Sequence, residues 1–177
     1  MKAILQRVLS SSVTVNGQTV STIGKGILVF AAIGPHDTKK DVETMASKVV
    51  KMRLWPDEND FNWKKSVQDI EGEILCVSQF TLMANTRKGT KPDFHEAAKP
   101  EIAKELYDYF VSRVRDQHGS DRVKDGVFQA MMQVSLVNDG PVTIEIDTSL
   151  PKKDSATNTK TSTGASTPVQ QETGTNG

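Results

Sequence analysis

The run from Ile27 to Ile33, ILVFAAI, places the strongest constraint on the fold of this chain. Every residue in it is apolar, and Gly24 and Gly26 come just before it. A strand with one solvent-exposed face alternates apolar and polar residues, whereas an unbroken apolar run of this length is typical of a strand covered on both faces. The sequence therefore predicts a central core strand.

A β-hairpin precedes this run. The segment Ala3–Val15 alternates loosely between apolar and polar residues and is rich in Val, Ser and Thr. It ends at Asn16-Gly17, the strongest two-residue signal for a hairpin turn. Two antiparallel strands are therefore expected before the core strand.

Two segments have the period of amphipathic helices. The first has N-cap residues at Asp37 and Thr38 and ends near Met52. Its apolar positions are Val42, Met45, Val49 and Met52. The second follows Pro92, has Pro100 in its first turn, and ends near His118-Gly119. Its predicted apolar stripe is Ile102, Leu106, Tyr109, Phe110 and Val114.

Three further strands complete the predicted fold. One runs from Glu73 to Met83, and two more, Phe128–Val137 and Val142–Ile146, are separated by the turn residues Asn-Asp-Gly-Pro. This order of elements predicts an α+β fold, with a mainly antiparallel sheet or barrel and two main helices packed on it.

Composition divides the chain into one domain, residues 1–149, and a tail, residues 150–177. The tail is rich in Ser and Thr and contains no aromatic residue, so it has too little apolar surface to offset the entropy of ordering. We expect it to be disordered, as a flexible spacer, a modification target or a tolerated extension.

The remaining composition excludes several classes of protein. Lys and Arg number 22, as do Asp and Glu, so the charge gives no strong indication of nucleic-acid binding beyond a local patch. The single cysteine, Cys76, excludes an internal disulfide and paired-cysteine metal sites. The N-terminal apolar run is too short for a signal peptide, and no later segment approaches a membrane span. A soluble protein of the cytoplasm is expected.

Common catalytic signatures are missing from the sequence. There is no G-x-S-x-G elbow, Walker loop, G-x-G-x-x-G turn or H-E-x-x-H helix. His95-Glu96 is the one pair that suggests acid-base chemistry, but a lone His beside Glu at the start of a helix is more often a solvated pair. We assign no catalytic role to it.

The segment CVSQFTLM, from Cys76 to Met83, places three polar side chains in an apolar strand. Burying a hydroxyl or an amide without a partner costs about 1–3 kcal/mol. Ser78, Gln79 and Thr81 therefore need either hydrogen-bond partners in the core or a solvent-filled cavity, and the pattern allows both.

A basic segment and a Gly-Pro turn are the other two candidate features. Arg87, Lys88 and Lys91, called the basic loop below, flank Gly89. Such a loop binds phosphate through its cations and backbone amides, or is simply a solvated surface loop. Gly140-Pro141 by itself indicates only a turn, since about 5–6% of X-Pro bonds in folded proteins are cis.

Together these stretches resemble the D-aminoacyl-tRNA deacylase family, whose members hydrolyse the ester between a D-amino acid and the 3′ end of tRNA. The most specific pieces are the motifs SQFTL and NDGPVT, in this order and at this separation. The resemblance also includes SVTVNGQTVSTIGKGILV, Gln6-Arg7-Val8, Gly72–Leu75, and Lys88-Gly89 with Pro92 and Phe94. It covers residues 1 to about 148.

The resemblance implies a homodimer with active sites at the subunit interface, and no metal or organic cofactor. It implies that Ser78, Gln79, Phe80 and Thr81 surround the 3′ adenosine and the ester. Further implied site residues are Gly140 and Pro141, joined by a cis peptide and reaching into the partner's site, with Arg7 holding them, and a pocket lined by Phe128, Ala130 and Met132. Gln129 departs from the family because many members carry glycine there.

The resemblance also implies how such an enzyme works. A threonine hydroxyl needs a base to become a nucleophile, and no histidine or carboxylate lies near Thr81 in the sequence. We therefore expect attack by water, with backbone amides around Phe80 and Thr81 stabilising the oxyanion.

If rigid carbonyls exclude an L side chain, D-amino acids are accepted broadly and glycyl-tRNA is hydrolysed too. The basic loop is expected to hold tRNA phosphates.

Overall fold

The computed structural model describes residues 1–149, and the predicted disordered tail lies outside them. These residues form a six-stranded sheet and two long helices. In chain order the elements are β1 (Lys2–Val15), β2 (Gln18–Ile23), β3 (Gly26–Ala32), α1 (Lys39–Lys51), β4 (Glu73–Ser78), α2 (Pro100–His118), β5 (Val123–Asp125) and β6 (Gln133–Asp147). Short 3-10 turns follow β4 and α2, at Phe80–Met83 and Ser120–Arg122.

The long strand β1 organises the sheet. Its first half pairs with β3 and its second half with β2, while β6 pairs antiparallel along its other edge. The predicted hairpin is confirmed, because β1 and β2 are antiparallel across Asn16 and Gly17. Both turn residues have positive φ, 50° and 79°, as a tight two-residue hairpin turn requires.

The prediction of a mainly antiparallel sheet is confirmed in part: β2, β3 and β6 all pair antiparallel with β1, but the sheet as a whole is mixed. The pairs β3–β4 and β4–β5 are both parallel. Helix α1 lies between β3 and β4 in the chain, and α2 lies between β4 and β5. Each helix is therefore the crossover of a β-α-β unit, and such a crossover returns the chain in the same direction. The rest of the prediction, an α+β fold with two main helices, is confirmed.

The sheet curls until its two ends approach each other. Strands β2 and β5 are at opposite ends of the strand order, yet the Ser21 hydroxyl donates a hydrogen bond of 2.5 Å to the Asp125 carbonyl. The result is a nearly closed barrel with a small interior cluster, comprising Val8, Val13, Ile23, Leu28, Leu75 and Val77.

The core strand β3 is covered on both faces, as its apolar run predicts. Ile27 and Val29 belong to the large core shared with the two helices, whereas Leu28 points into the barrel cluster. The parallel neighbour β4 comes very close at Gly26, where an added Cβ would lie 1.9 Å from the Glu73 carbonyl oxygen. Glycine at this position is therefore required by the approach of the two backbones.

Both helices begin where the sequence predicts. Thr38 is the N-cap of α1 and forms a capping box with Asp41, and Pro100 is the first residue of α2. The predicted stripe of α2 is wrong at Ile102, which is 49% exposed, whereas Tyr109 is partly buried and packs against the core. The buried residues of α2 are Leu106, Tyr107, Phe110, Val111 and Val114. In the described part of the chain, no helix has the length and apolar character needed to cross a membrane.

Two predicted strands have different boundaries. β4 ends at Ser78 instead of Met83, and a 3-10 turn replaces its last residues. Phe128 to Met132 lie outside any strand, and β6 then runs without a break from Gln133 to Asp147. Long-range pairing with β1 keeps the Gly140-Pro141 segment within one strand, as a bulge that a local turn signal does not distinguish from a hairpin.

Candidate active site

A cavity of about 630 Å³ lies where the carboxyl ends of β3 and β4 meet the start of α2. Its fourth side is the irregular segment before β6. The lining residues are Ala31–Ile33, Val77–Phe80, Ala97, Ala98, Pro100, Ala103, Tyr107, Phe128–Met132 and Val134. The cavity thus gathers residues from four separate parts of the chain.

Of the four predicted site residues Ser78, Gln79, Phe80 and Thr81, the first three line this cavity. Ser78 is the last residue of β4, and Gln79 and Phe80 follow where the chain leaves the sheet. Thr81 is not among the lining residues of the described chain. Its hydroxyl instead accepts a hydrogen bond of 2.5 Å from the Gln79 side-chain amide. The polar residues of CVSQFTLM therefore lie at the end of β4 and in the turn that follows it, and not within a buried strand.

The 3-10 turn at this wall presents backbone amides. Two of the backbone hydrogen bonds that end on this turn are known by their partners. The Leu82 amide donates to the Gln79 carbonyl, 3.2 Å, and the Ala84 amide donates to the Thr81 carbonyl, 3.1 Å. The amides of Phe80 and Thr81 come before the first of these bonds, and amides at the start of a helix lack an intrahelical partner. Amides in this position can donate to an oxygen that carries developing negative charge.

The opposite wall contains the predicted residues Phe128, Ala130 and Met132, all of which line the cavity. Gln129 lines it as well and has a φ of 62°. This left-handed conformation favours glycine, which explains why glycine suits the position in the family that the sequence resembles. The glutamine adopts the same region of backbone conformation despite its side chain.

Tyr107 is a cavity residue that the sequence reasoning missed. It is 1% exposed, and its ring lies 5.7 Å from the ring of Phe128. Its hydroxyl donates a hydrogen bond of 2.6 Å to the Asp125 carboxylate. Burial raises the pKa of Asp125, while the Tyr107 hydrogen bond acts in the opposite direction. The spacing of Tyr107 with Phe110, Val111 and Val114 is the signal that would have identified it.

Cys76 and His95 are the potential nucleophile and base nearest in the sequence to Ser78–Thr81, and neither lines the cavity. Cys76 is fully buried, and burial raises the pKa of its thiol far above the usual range, so it is not a thiolate at neutral pH. His95 is exposed and pairs with Asp93. Among the described residues, the cavity lining includes no histidine, aspartate or glutamate, and no cluster of three or more such side chains or cysteines is arranged to hold a metal.

The basic loop is next to the cavity entrance. It is closed at its base by paired backbone hydrogen bonds between Asn85 and Asp93, 2.7 and 3.0 Å, and its three cations are exposed. Phe94, just after the loop, packs edge-on against the cavity residue Phe80, with 5.2 Å between ring centroids. This contact joins the basic loop to the cavity rim.

Gly140 and Pro141 lie elsewhere, in a bulge of β6. β6 pairs Asn138 with Val8 and Thr143 with Gln6, so the four intervening residues stand opposite Arg7 alone. The Gly140–Pro141 peptide bond is cis, both residues are exposed, and neither lines the cavity of its own chain in residues 1–149.

Arg7 fastens this bulge to the body of the protein. Its Nε lies 3.0 Å from the Asp139 carboxylate and donates a hydrogen bond of 3.2 Å to the Asp139 carbonyl. One terminal nitrogen donates a hydrogen bond of 2.6 Å to the Leu54 carbonyl. Asn138 closes the bulge by accepting a 3.1 Å hydrogen bond from the Val142 amide. The bulge is thus held by side chains on both of its sides.

Comparison with known proteins finds close relatives over the described domain. A D-aminoacyl-tRNA deacylase of Yarrowia lipolytica is 53% identical over 150 residues, covering 84% of this chain and 97% of the relative. D-aminoacyl-tRNA deacylase 1 of Homo sapiens is 48% identical over 151 residues, 85% of this chain and 72% of the relative. A solved structure described as c-Myc DNA Unwinding Element Binding Protein superposes with a TM-score of 0.80 at 48% identity, covering 83% of this chain and 98% of that one.

The family model for D-Tyr-tRNA(Tyr) deacylase matches residues 4–147. This range contains the SQFTL turn, the basic loop and the Gly140–Pro141 bulge, and it ends where β6 ends. The family expected from the motifs is confirmed: the chain belongs to the D-Tyr-tRNA(Tyr) deacylase family.

Proposed function

We propose that the protein is a hydrolase that cleaves the ester bond of D-aminoacyl-tRNA, releasing the D-amino acid and tRNA. One observation carries the proposal: the amides of Phe80 and Thr81 precede the first bond of a 3-10 turn at the wall of a cavity of about 630 Å³. Its relatives are D-aminoacyl-tRNA deacylases, which supports this substrate. The cytoplasmic role that we propose is quality control in translation.

Water is the proposed nucleophile. Attack on the ester carbonyl produces a tetrahedral oxyanion, and the amides of Phe80 and Thr81 donate hydrogen bonds to it. The Thr81 hydroxyl accepts from Gln79, and no carboxylate or imidazole among the described cavity residues is present to activate it. The terminal 2′-hydroxyl of the tRNA assists proton transfer, as the family resemblance implies. The cavity wall thus supplies positioning and charge stabilisation.

In the proposed homodimer, the enzyme selects the chirality of its substrate by excluding an L side chain. Gly140 and Pro141 lie outside the cavity of their own chain, on an exposed bulge anchored by Arg7. This placement supports a site in which the bulge of one subunit enters the cavity of its partner. Carbonyl groups fixed there occupy the space that an L side chain would need, so L-aminoacyl-tRNA is rejected by a clash.

Two consequences follow from exclusion without a dedicated side-chain pocket. D-amino acids of different size are accepted, because specificity comes from the excluded L position. Glycine has no side chain to exclude, so glycyl-tRNA is also hydrolysed. No resident cofactor is required for either reaction in this proposal.

The test is a deacylation assay with three substrates: D-tyrosyl-tRNA, L-tyrosyl-tRNA and glycyl-tRNA. We expect release of D-tyrosine and glycine and retention of L-tyrosine, measured as loss of charged tRNA over time. Equal release from the D and L substrates would refute the filter, and untouched glycyl-tRNA at enzyme levels that clear D-tyrosyl-tRNA would refute exclusion as its sole basis.

A second candidate is a nucleic-acid-binding module without turnover. It is favoured by the solved relative described as a DNA unwinding element binding protein and by the exposed basic loop. Such a module would release neither amino acid in the same assay while still binding the charged tRNA. The intact SQFTL turn and its cavity favour the enzyme.

A further inference from the structure

An exposed loop outside the cavity carries two large aromatic side chains. The segment from Asp57 to Lys64, called the aromatic loop below, presents Phe61 at 63% exposure and Trp63 at 55% exposure. By contrast, Trp55 at its base is 3% exposed. Nothing in the proposed catalytic mechanism uses these two rings.

The aromatic loop is ordered by its own hydrogen bonds. The Asp57 carboxylate accepts from the amides of Asn59, 2.9 Å, and Phe61, 3.0 Å. Backbone pairing between Trp55 and Lys65 closes the base, with hydrogen bonds of 3.0 and 3.1 Å. A loop held in this way presents its rings without a large ordering cost on binding.

Trp63 also has an unusual backbone conformation. Its φ is 62°, in the left-handed region that bulky L residues rarely adopt. Unfavourable backbone conformations that the surrounding structure maintains are concentrated at functional sites. A large apolar ring held outward in this way is therefore a candidate for ligand contact.

The charges around the rings favour a polyanion. Lys51, Arg53 and Lys64 are exposed and flank the aromatic loop at its two ends. The loop has three acidic residues: Asp57 accepts hydrogen bonds from backbone amides, Glu58 is paired with Lys65, and Asp60 is exposed. From Lys51 to Lys65 the four cations outnumber these acids by one. Exposed aromatic rings interspersed with cations are typical of surfaces that bind single-stranded nucleic acid, because bases stack on the rings and cations contact the backbone.

The aromatic loop is connected to the Gly140–Pro141 bulge through one side chain. Arg7 donates to the carbonyl of Leu54, at the base of the loop, and also to the carbonyl of Asp139, at the start of the bulge. In the proposed homodimer this bulge enters the partner's cavity. The base of the aromatic loop therefore lies one side chain away from the segment that reaches the partner's site.

We infer that the aromatic loop is a stacking site for unpaired nucleotides of the RNA substrate, contacted by Phe61 and Trp63. This inference rests on the proposed function, because the RNA whose ester is cleaved in the partner's cavity is the same RNA that stacks on the loop. Its occupant is single-stranded RNA next to the reacting 3′ end.

The test measures binding of a fluorescein-labelled single-stranded RNA dodecamer to the full chain by anisotropy. Phe61→Ala and Trp63→Ala are each expected to weaken binding by about 5- to 150-fold, the range typical for loss of one stacked base. Trp63→Phe keeps a ring and is expected to restore most of the affinity. Ile102→Ala, which removes an exposed apolar side chain from α2, is the matched control and should bind as the wild type does.

Intrinsic fluorescence locates the contact, since the chain has two tryptophans and Trp55 is buried. RNA should quench the emission of the wild type and leave that of Trp63→Phe unchanged. Wild-type affinity in both alanine variants, or equal competition by duplex RNA, would overturn the inference. The binding assay involves no turnover, so failure of the proposed function would show separately, as D-tyrosyl-tRNA left intact by a wild type that still binds RNA through this loop.

Discussion

The buried hydrogen bond between Tyr107 and Asp125 supports a quantitative prediction. Tyr107→Phe removes one hydroxyl and keeps the ring, so the cavity wall retains its shape while the Asp125 carboxylate loses its 2.6 Å donor. A hydrogen bond to a charged group contributes about 1.5–3 kcal/mol. At neutral pH we expect the free energy of unfolding to fall by about 2 kcal/mol, or about 4–8 °C in Tm for a domain of this size.

The loss should depend on pH, with a sign that the structure defines. Burial raises the pKa of Asp125 in the folded protein, so its contribution to stability is largest below its unfolded pKa and is lost as pH rises through the folded pKa. The Tyr107 hydrogen bond opposes this rise. Without this hydrogen bond the folded pKa of Asp125 increases further. The loss of folding stability at neutral pH therefore becomes larger. In acid the Asp125 carboxyl is protonated in both the wild type and Tyr107→Phe. Their free energies of unfolding then differ only by one hydrogen bond between neutral groups, about 0.5–1.5 kcal/mol.

The assay is urea unfolding followed by circular dichroism at one fixed protein concentration, at about pH 7 and at about pH 3, below the ordinary pKa of an aspartate. The control is Tyr109→Phe on the same helix, where the hydroxyl donates a 2.7 Å hydrogen bond to Glu43 at the surface. Its stability should stay close to that of the wild type. Equal losses in the two variants, or a Tyr107→Phe loss that does not shrink in acid, would refute the reasoning.

Three further predictions concern the proposed reaction. Thr81→Ala should keep hydrolysing D-tyrosyl-tRNA, within about tenfold of the wild-type rate because it loses no more than one hydrogen bond; a trapped acyl-enzyme in the wild type together with an inactive variant would contradict this. Alanine at all three cations of the basic loop should make the plot of log binding constant against log salt shallower by roughly 2–3, and an unchanged slope would remove the loop from the tRNA interface. Gly140→Ala places a Cβ 2.8 Å from the Val142 side chain at a φ of 124°, so the ratio of D to L hydrolysis should fall by about tenfold or more. Gly17→Ala, with a φ of 79° and open space around its Cβ, should leave that ratio unchanged.

Features that depend on neighbouring residues were predictable from the sequence. The apolar run of β3 gave a strand covered on both faces, Asn16-Gly17 gave the hairpin, and Thr38 and Pro100 marked the starts of the two helices. Each is encoded by side-chain period or by local backbone preference, which operate over a few residues. The family was likewise evident from the motifs SQFTL and NDGPVT, whose order and separation are together specific.

Parallel pairing was not predictable in the same way. Whether β4 joins β3 in parallel depends on the path of the chain through α1, and no local pattern distinguishes a crossover helix from a helix packed on an antiparallel sheet. The exact stripe of α2 also depended on its neighbours, because Tyr107 is buried by the approach of Phe128 and Asp125.

The sequence by itself determined the family, the core strand, the helix starts and six of the 18 residues that line the cavity. Only the tertiary structure decided that β4 ends at Ser78 and turns at Gln79 beside a cavity, that Thr81 lies beside this wall, and that Gly140 and Pro141 form a bulge opposite Arg7, away from their own cavity. The physical reason is that strand ends and bulges are fixed by pairing between residues far apart in the chain, as between Ala31 and Ser78 and between Gln6 and Thr143.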